Sequence, residues 1–317
     1  MKRTPAVRVA VVGLGPIGIE IANAVLKRSE LALVGAVDFA EHLAGKPLAQ
    51  VVRGAPKKAR IAAGLAELLG AGGVDAIALA TSSRFKGLAA DLEIAIAHHV
   101  HVVSTCEELA APCADPVLWA RIDGRAKKAG VTVLGTGVNP GFVMDRLVLQ
   151  LAGACVSVQK VEVERVVDAA KRRAPLRKKV GEGLTVQQFR AGVKARRIGH
   201  VGLRESATLI ARGLGWKLEG YDEKITPEVG PDGKCLGIRQ HARGVVGGRE
   251  LITLRLAMYV GAPDPHDRIM LTGDPPIDLQ IPGGTQGDRG TIGTIVNALG
   301  RLPRAPRGLV TVADVFV

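Results

Sequence analysis

The sequence predicts an α/β protein of two domains: a doubly wound parallel sheet, then an α+β domain built on a largely antiparallel sheet. Three observations carry this. Strand-like and helix-like apolar runs alternate over the first 135 residues, as parallel strands joined by helical crossovers require. Beyond Phe142 successive strand-like runs follow one another, the mark of an antiparallel sheet. A chain of 317 residues, 47% hydrophobic, can bury two cores. The expected domains are residues 1–141, completed by a return over 289–317, and residues 142–288.

In order, Arg8–Val12, Leu31–Asp38, Ala76–Thr81, His101–Thr105 and Thr132–Leu134 read as strands of the first sheet. Helical spacing of apolar residues runs over Ile17–Lys27, Ala62–Leu69, Lys86–His98 and Pro116–Ala129. The second domain opens with a helix at Val143–Ala152, an alternating strand at Val156–Val167, and helices at Val186–Lys194 and Leu203–Leu214. Strand-like runs then cover Lys217–Glu228, Cys235–Gly247, Glu250–Val260 and Arg268–Thr272. Ile281–Thr291 reads as a glycine-rich return, and Thr291–Leu299 as a helix that docks on the first domain.

The formal charge is +13, but the basic residues are spread along the chain. The one dense run, Lys171–Lys179, lacks the interleaved aromatics of a single-strand nucleic-acid surface, so it is expected as a solvated loop and no nucleic-acid partner is expected. A cationic lip beside an anion-handling site is the alternative for that run. Four cysteines without CxxC or metal-ligand spacing imply reduced thiols, a cytoplasmic protein and no metal. The apolar run after Lys2 and Arg3 is the first strand rather than a signal core, and no run approaches the ~20 apolar residues of a membrane span.

Residues 9–18, VAVVGLGPIG, place Gly13-Leu14-Gly15-Pro16-Ile17-Gly18 between a strand and a helix, and Asp38 follows Gly18 by the spacing a dinucleotide site needs. Gly13 allows the turn, Gly15 admits the pyrophosphate, Gly18 lets the helix pack, and the helix N-terminus offers N–H groups to phosphate. Asp38 can accept both adenosine ribose hydroxyls and repels a 2′-phosphate, so NAD is preferred over NADP, although a cation such as Lys46 can offset that repulsion. Ligands bind at the carboxyl edge of such a sheet. Thr81-Ser82-Ser83, Thr105 and the loop containing Asn139 and Pro140 fall there, and they join the glycine turn as cofactor contacts.

Glu107 and Glu108 follow the strand that ends beside the nicotinamide, where a partly buried carboxylate suits proton transfer. Two acids opening a helix are equally a dipole-favoured cap. Cys106 is the alternative nucleophile, without a histidine nearby in sequence. The loop from Gly135 to Phe142 reads as a ligand loop or an interdomain hinge, with Phe142 and Met144 as substrate contacts. His98-His99, at a helix end, reads as a structural pair capping carbonyls.

The segments STCEELAAP, GTGVNPGFVMD, RRAPLRKKVG, GHVGLRES and PGGTQGDRGTIGTIVNALGRLP, in that order, resemble the 2,4-diaminopentanoate dehydrogenase family and its relatives, the native amine dehydrogenases. The resemblance implies a Rossmann domain with an α+β domain, a homodimer, and reversible NAD(P)-dependent oxidative deamination of an amine to a ketone and ammonia. It also implies a glutamate after the fifth strand that binds the amine or activates water, at Glu107 or Glu108, with Glu107 preferred. Arg165, His200 and His266 become candidates to hold a substrate carboxylate. Dihydrodipicolinate reductases share this layout but carry a double histidine followed by a lysine and a serine-glycine-threonine loop. His98-His99-Val100-His101 lacks that continuation, which argues against that cyclic substrate. A carbonyl or cyclic-imine reductase working without ammonia, and an NAD(H)-sensing binding protein, are the alternatives.

Overall fold

In the computed structural model, which describes residues 5–317, the chain forms two compact units, residues 5–142 with 287–317, and residues 143–286. The first begins with β1 (Val7–Val12), α1 (Pro16–Val25), β2 (Leu31–Val37), β3 (Ile61–Ala62), α2 (Leu65–Gly70), β4 (Ala76–Leu79), α3 (Ala89–Ala97), β5 (His101–Ser104), α4 (Pro116–Ala129) and β6 (Thr132–Gly135). The second holds α5 (Arg146–Ala152), β7 (Ser157–Asp168), α6 (Ala174–Lys179), α7 (Val186–Lys194), α8 (Leu203–Gly213), β8 (Gly220–Val229), β9 (Cys235–Val246), β10 (Arg249–Tyr259), β11 (His266–Asp274) and β12 (Ile277–Pro282). The chain then returns to the first unit through α9 (Gly287–Leu299), β13 (Gly308–Val310) and α10 (Val312–Phe316).

The first sheet is wholly parallel, in the order β13-β6-β5-β4-β1-β2-β3. Val9 to Val12 and Ala76 to Leu79 are buried almost completely, as strands covered on both faces must be. The crossover helices carry local signals for their ends. Asp115 accepts the Leu118 N–H at 2.9 Å and Pro116 opens α4, while Gly130, at φ 69°, closes it. Phe85 and Trp119 meet edge to face under the sheet, their ring centroids 6.2 Å apart.

The turn from β1 into α1 is the tightest joint of this unit. Gly13 adopts φ +91°, and its N–H donates to the Val37 carbonyl at 2.8 Å, tying the turn to β2. A Cβ on Gly18 would lie 1.8 Å from the Gly13 carbonyl oxygen, so the helix approaches the strand end more closely than any side chain permits. A Cβ on Gly15 would meet nothing within 4 Å.

The second sheet is mixed, in the order β12-β11-β7-β10-β9-β8, with every neighbouring pair antiparallel except β7 and β10. Its register sets Ile225, Gln240, Leu256, Arg165, Asp267 and Ile281 in one row across all six strands. The adjoining row on the same face holds Ala242, Leu254, Val163 and Ile269, all buried, and helices α5, α7 and α8 pack against this sheet. Lys224, His241, Arg255, Glu164 and Arg268 form a charged row on the opposite face.

Four local expectations change. The basic run expected as a loop contains a short helix, α6, started by Pro175 in its first turn, with Arg177 paired to Glu182. Ala62, read as the start of a helix, instead joins Ile61 in an edge strand on β2, and α2 begins only after Gly64. The return begins later than its glycines imply, because Ile277–Pro282 pairs with β11. The C-terminal segment adds β13 beside β6 as well as the helix α9, which packs on α1. His99, in a left-handed conformation at φ 58°, meets the Ala129 carbonyl at the end of α4 through Nδ1, in keeping with a histidine that caps carbonyls.

Two predictions follow from these joints. Gly18→Ala will lower the unfolding free energy by about 3 kcal/mol, whereas Gly15→Ala will leave it within ~0.5 kcal/mol of wild type, both read from urea melts. At the start of β5, His101 Nδ1 accepts the Thr132 N–H at 3.0 Å, which only the neutral ring can do. Burial, with the Arg307 charge adding and Asp75 opposing, pushes its pKa down to about 4. The unfolded chain therefore binds the extra proton first, and this contribution is complete above the ordinary value of about 6.5 and is lost as pH falls toward 4. Wild type should lose about 2 kcal/mol more than His101→Asn between pH 7 and 4.5.

Candidate active site

Helix α1 starts at Gly15 without a side-chain cap, so the N–H groups of its first turn face the space that a Cβ on Gly15 would enter. Leu14, Pro16 and Ile17 complete this turn. Asp38, one residue past β2, accepts the Leu14 N–H at 2.7 Å on Oδ2 and the Ala40 N–H at 2.9 Å on Oδ1. Each oxygen keeps acceptor capacity for a hydroxyl, because a carboxylate oxygen has two lone pairs. An open cradle of N–H groups beside a carboxylate fits the diphosphate and adenosine ribose of a nicotinamide dinucleotide.

The ends of β4 and β5 are locked to each other. Ser104 Oγ donates to the Leu79 carbonyl at 2.9 Å and accepts the Cys106 N–H at 3.1 Å, and the Thr105 N–H donates to Leu79 at 3.1 Å. Thr81, Ser82 and Ser83 follow β4, where Ser82 Oγ accepts the Arg84 N–H at 3.0 Å. The two glutamates part company here. Both oxygens of Glu108 are engaged, by the Arg84 guanidinium at 2.6 Å and by the Phe85 N–H at 2.9 Å. Glu107 opens the short 3-10 turn next to it. Cys106 is 1% exposed, and burial, with both glutamates adding, pushes its thiol up to about 12, so it is protonated and unsuited to nucleophilic attack.

The Gly135–Phe142 loop leaves β6 beside these turns. The Thr136 N–H donates to Ser104 at 2.9 Å, and the Val138 N–H donates to Thr291 Oγ1 of α9 at 3.2 Å. Asn139 is buried and its peptide bond to Pro140 is cis. A Cβ on Gly141 would lie 2.4 Å from the Gly137 nitrogen, so the loop is folded tightly upon itself. Phe142 is half-buried, and Met144 has no exposed surface.

In the second unit the structure brings together only some of the expected residues. Arg165, 3% exposed, donates to Asp267 Oδ1 at 2.9 Å and to the Thr285 carbonyl at 2.7 Å, and Asp267 Oδ2 accepts the Thr285 N–H at 2.6 Å. Gln240, in the same row, clamps the backbone of His200: Oε1 accepts its N–H at 2.9 Å and Nε2 donates to its carbonyl at 2.8 Å. Gln240 also bonds Glu223, which accepts the Tyr221 hydroxyl at 2.6 Å. Burial and Glu223 hold that phenol well above its ordinary range. His266 is separated from Arg165. It pairs with Val166, on the face opposite to the Asp267–Arg165 pair, and it bonds through Nδ1 to the Asp264 carbonyl at 2.7 Å. Gln240 and Asp267 belong to no motif; their signal in sequence is a polar residue at an inward strand position, between Ile238 and Ala242 and before Ile269.

Among the described residues no group of three or more His, Cys, Asp or Glu is placed to hold a metal ion, and no helix is long and apolar enough to cross a membrane. The 2,4-diaminopentanoate dehydrogenase C-terminal domain family matches residues 142–317. The 2,4-diaminopentanoate dehydrogenase of Acetoanaerobium sticklandii is 29% identical over an alignment of 337 residues, spanning 98% of this chain and 93% of that protein. The amine dehydrogenase of Mycobacterium smegmatis superposes with a TM-score of 0.85 at 22% identity, covering 98% of this chain and 96% of its own. A scyllo-inositol dehydrogenase from Lactobacillus casei, solved with NAD(H) and scyllo-inositol, shares the fold more distantly, with a TM-score of 0.64 at 13% identity over 94% of this chain and 88% of that one. The first unit is thus a Rossmann-type domain, and the chain belongs to the 2,4-diaminopentanoate dehydrogenase family as an oxidoreductase.

Proposed function

We propose that the protein is an NAD(P)-dependent amine dehydrogenase that converts an amine on a carbon without a carboxylate to a ketone and ammonia, reversibly, with NAD preferred. The observation that carries this reading is the turn after β5, which sets two adjacent glutamates at the edge of the parallel sheet. Arg84 and the Phe85 N–H take both oxygens of Glu108, which supports a tying role for Glu108 and, with it, the choice of Glu107 as the acid–base residue. The named relatives, a 2,4-diaminopentanoate dehydrogenase and an amine dehydrogenase, support the reaction class.

A nicotinamide held by the glycine turn would accept hydride from the amine-bearing carbon in the oxidative direction. Glu107 holds the neutral amine nitrogen in line for that transfer, takes a proton from the water that attacks the resulting iminium carbon, returns it to the carbinolamine nitrogen so that the C–N bond breaks and ammonia leaves, and then takes the hydroxyl proton as the ketone carbonyl forms. Arg84 and Glu108 keep the turn that carries Glu107 against the loop after β4. Asn139 and the backbone around Pro140 orient the ring and the substrate. Arg165, held by Asp267, and His200, whose backbone Gln240 holds, remain the candidates for a substrate carboxylate in this reading. A homodimer belongs to the same reading, and light scattering tests it.

Glu107→Gln should lower kcat/KM for NADH-dependent amination of a ketone by about 10²- to 10⁴-fold, with NADH affinity within twofold of wild type. Glu108→Gln should cost less in rate and lower the melting temperature, because Arg84 and the Phe85 N–H lose a charged acceptor. Turnover of Glu107→Gln at the wild-type rate, or a wild-type rate independent of ammonium, would defeat the mechanism. Asp38→Ser should narrow the preference for NADH over NADPH by roughly tenfold, about 1.4 kcal/mol, in fluorescence titrations.

A further inference from the structure

Phe39 is the one aromatic side chain that is exposed among the described residues, at 59% of its surface. The chain has only nine aromatic residues, and the other eight are buried or half-buried. Phe39 follows Asp38 directly, beyond the end of β2, on the sheet edge that carries the glycine turn. A single exposed apolar residue is ordinary on a protein surface. The conformation and the neighbours of this one set it apart.

The Ala40 N–H closes a turn on Asp38 Oδ1 at 2.9 Å, and Phe39 is the residue enclosed by that turn. The other oxygen of Asp38 is tied to Leu14 at 2.7 Å. The backbone on which the ring stands is therefore tied on both sides, and the ring is exposed next to Asp38. The strand order β4-β1-β2 places that turn between the Phe39 corner and the Ser82–Ser83 loop. A ring presented in this way is a pre-organised apolar plate beside an acceptor for sugar hydroxyls.

We infer that Phe39 is the stacking platform for the adenine of the dinucleotide, an inference that rests on the dinucleotide-binding reading above. Asp38 takes the adenosine ribose, and the base joined to that ribose lies on the side away from the diphosphate. The residue after Asp38 is the one that meets it. A base stacked on an aromatic side chain is stabilised by ~1–3 kcal/mol, which is about 5- to 150-fold in affinity, and the stack covers a ring face that water otherwise wets. The adenine is read by its π face at this corner, so tolerance for other purines should be broad. Phe39 is thus a binding residue for the half of the cofactor that takes no part in the chemistry.

The test separates the two halves of the cofactor. NADH, reduced nicotinamide mononucleotide, which lacks the adenylate half, and AMP are titrated by calorimetry against the full chain, wild type and Phe39→Ala. The expected result is about tenfold weaker binding of NADH and of AMP by Phe39→Ala, with the mononucleotide unchanged and the melting temperature of the free protein within 1–2 °C. Phe39→Tyr should restore the affinity, and Phe39→Leu, apolar but without a ring face, should not. Binding of NADH by Phe39→Ala within twofold of wild type, or equal weakening of NADH and the mononucleotide, overturns the inference and leaves the dinucleotide reading standing. Failure of the wild type to bind either NADH or NADPH overturns both.

Discussion

The arrangement of the first unit depends on the contact between the start of α1 and the end of β1. Helix and strand meet there at backbone distance, with Gly18 against the Gly13 carbonyl at a separation that leaves no room for a Cβ. That approach tips the N-terminus of α1 toward the sheet edge and lets the Gly13 and Leu14 N–H groups reach Val37 and Asp38. Gly15 then faces open space instead of protein. Three glycines in six residues thus perform three different steric tasks, and the cradle exists only because all three hold together.

Next to that cradle, a charge pairing engages one of two adjacent acids. A glutamate whose oxygens are both taken by an arginine and a backbone N–H is a structural tie. Its partners hold the carboxylate in one orientation. Glu108 occupies that position, and it fastens the loop after β4 to the turn after β5. The same two carboxylates help to keep the Cys106 thiol protonated, adding to burial, so a cysteine beside the site behaves as a small apolar group.

The second unit divides its polar residues by sheet face. The outward face carries ladders of alternating charge, with Arg243 on Asp222, Arg255 on Glu162 and Arg268 on Asp278. Solvent screens such pairs and each is worth little. The covered face keeps its buried polar side chains in one row, where Arg165 and Asp267 satisfy each other together with both backbone groups of Thr285. A buried pair of this kind is costly to break, about 3–5 kcal/mol when one partner is removed, because the other is left charged in a low-dielectric interior. Gln240, two strands away in the same row, uses both ends of its amide to hold His200. The row therefore fixes two loops, around His200 and Thr285, without needing either to be rigid by itself.

The sequence by itself determined the strand–helix alternation of the first unit, the glycine turn and its acid, and the ends of α4 and α7, where Asp115, Gly130 and Thr185 act within one helical turn of their partners. These are local periodicities and caps, and short-range sterics decide them. Short edge pieces escaped it, since two residues at β3 and three at β13 become strands only when a neighbour supplies the hydrogen bonds. Only the tertiary structure decided that Glu108 is tied to the loop after β4, because the Arg84 that ties it comes from that loop. The same holds for the separation of His266 from Arg165. One residue of register moves a side chain through the sheet, and register is set by β7, β11 and the strands around them rather than by either residue's neighbours in sequence.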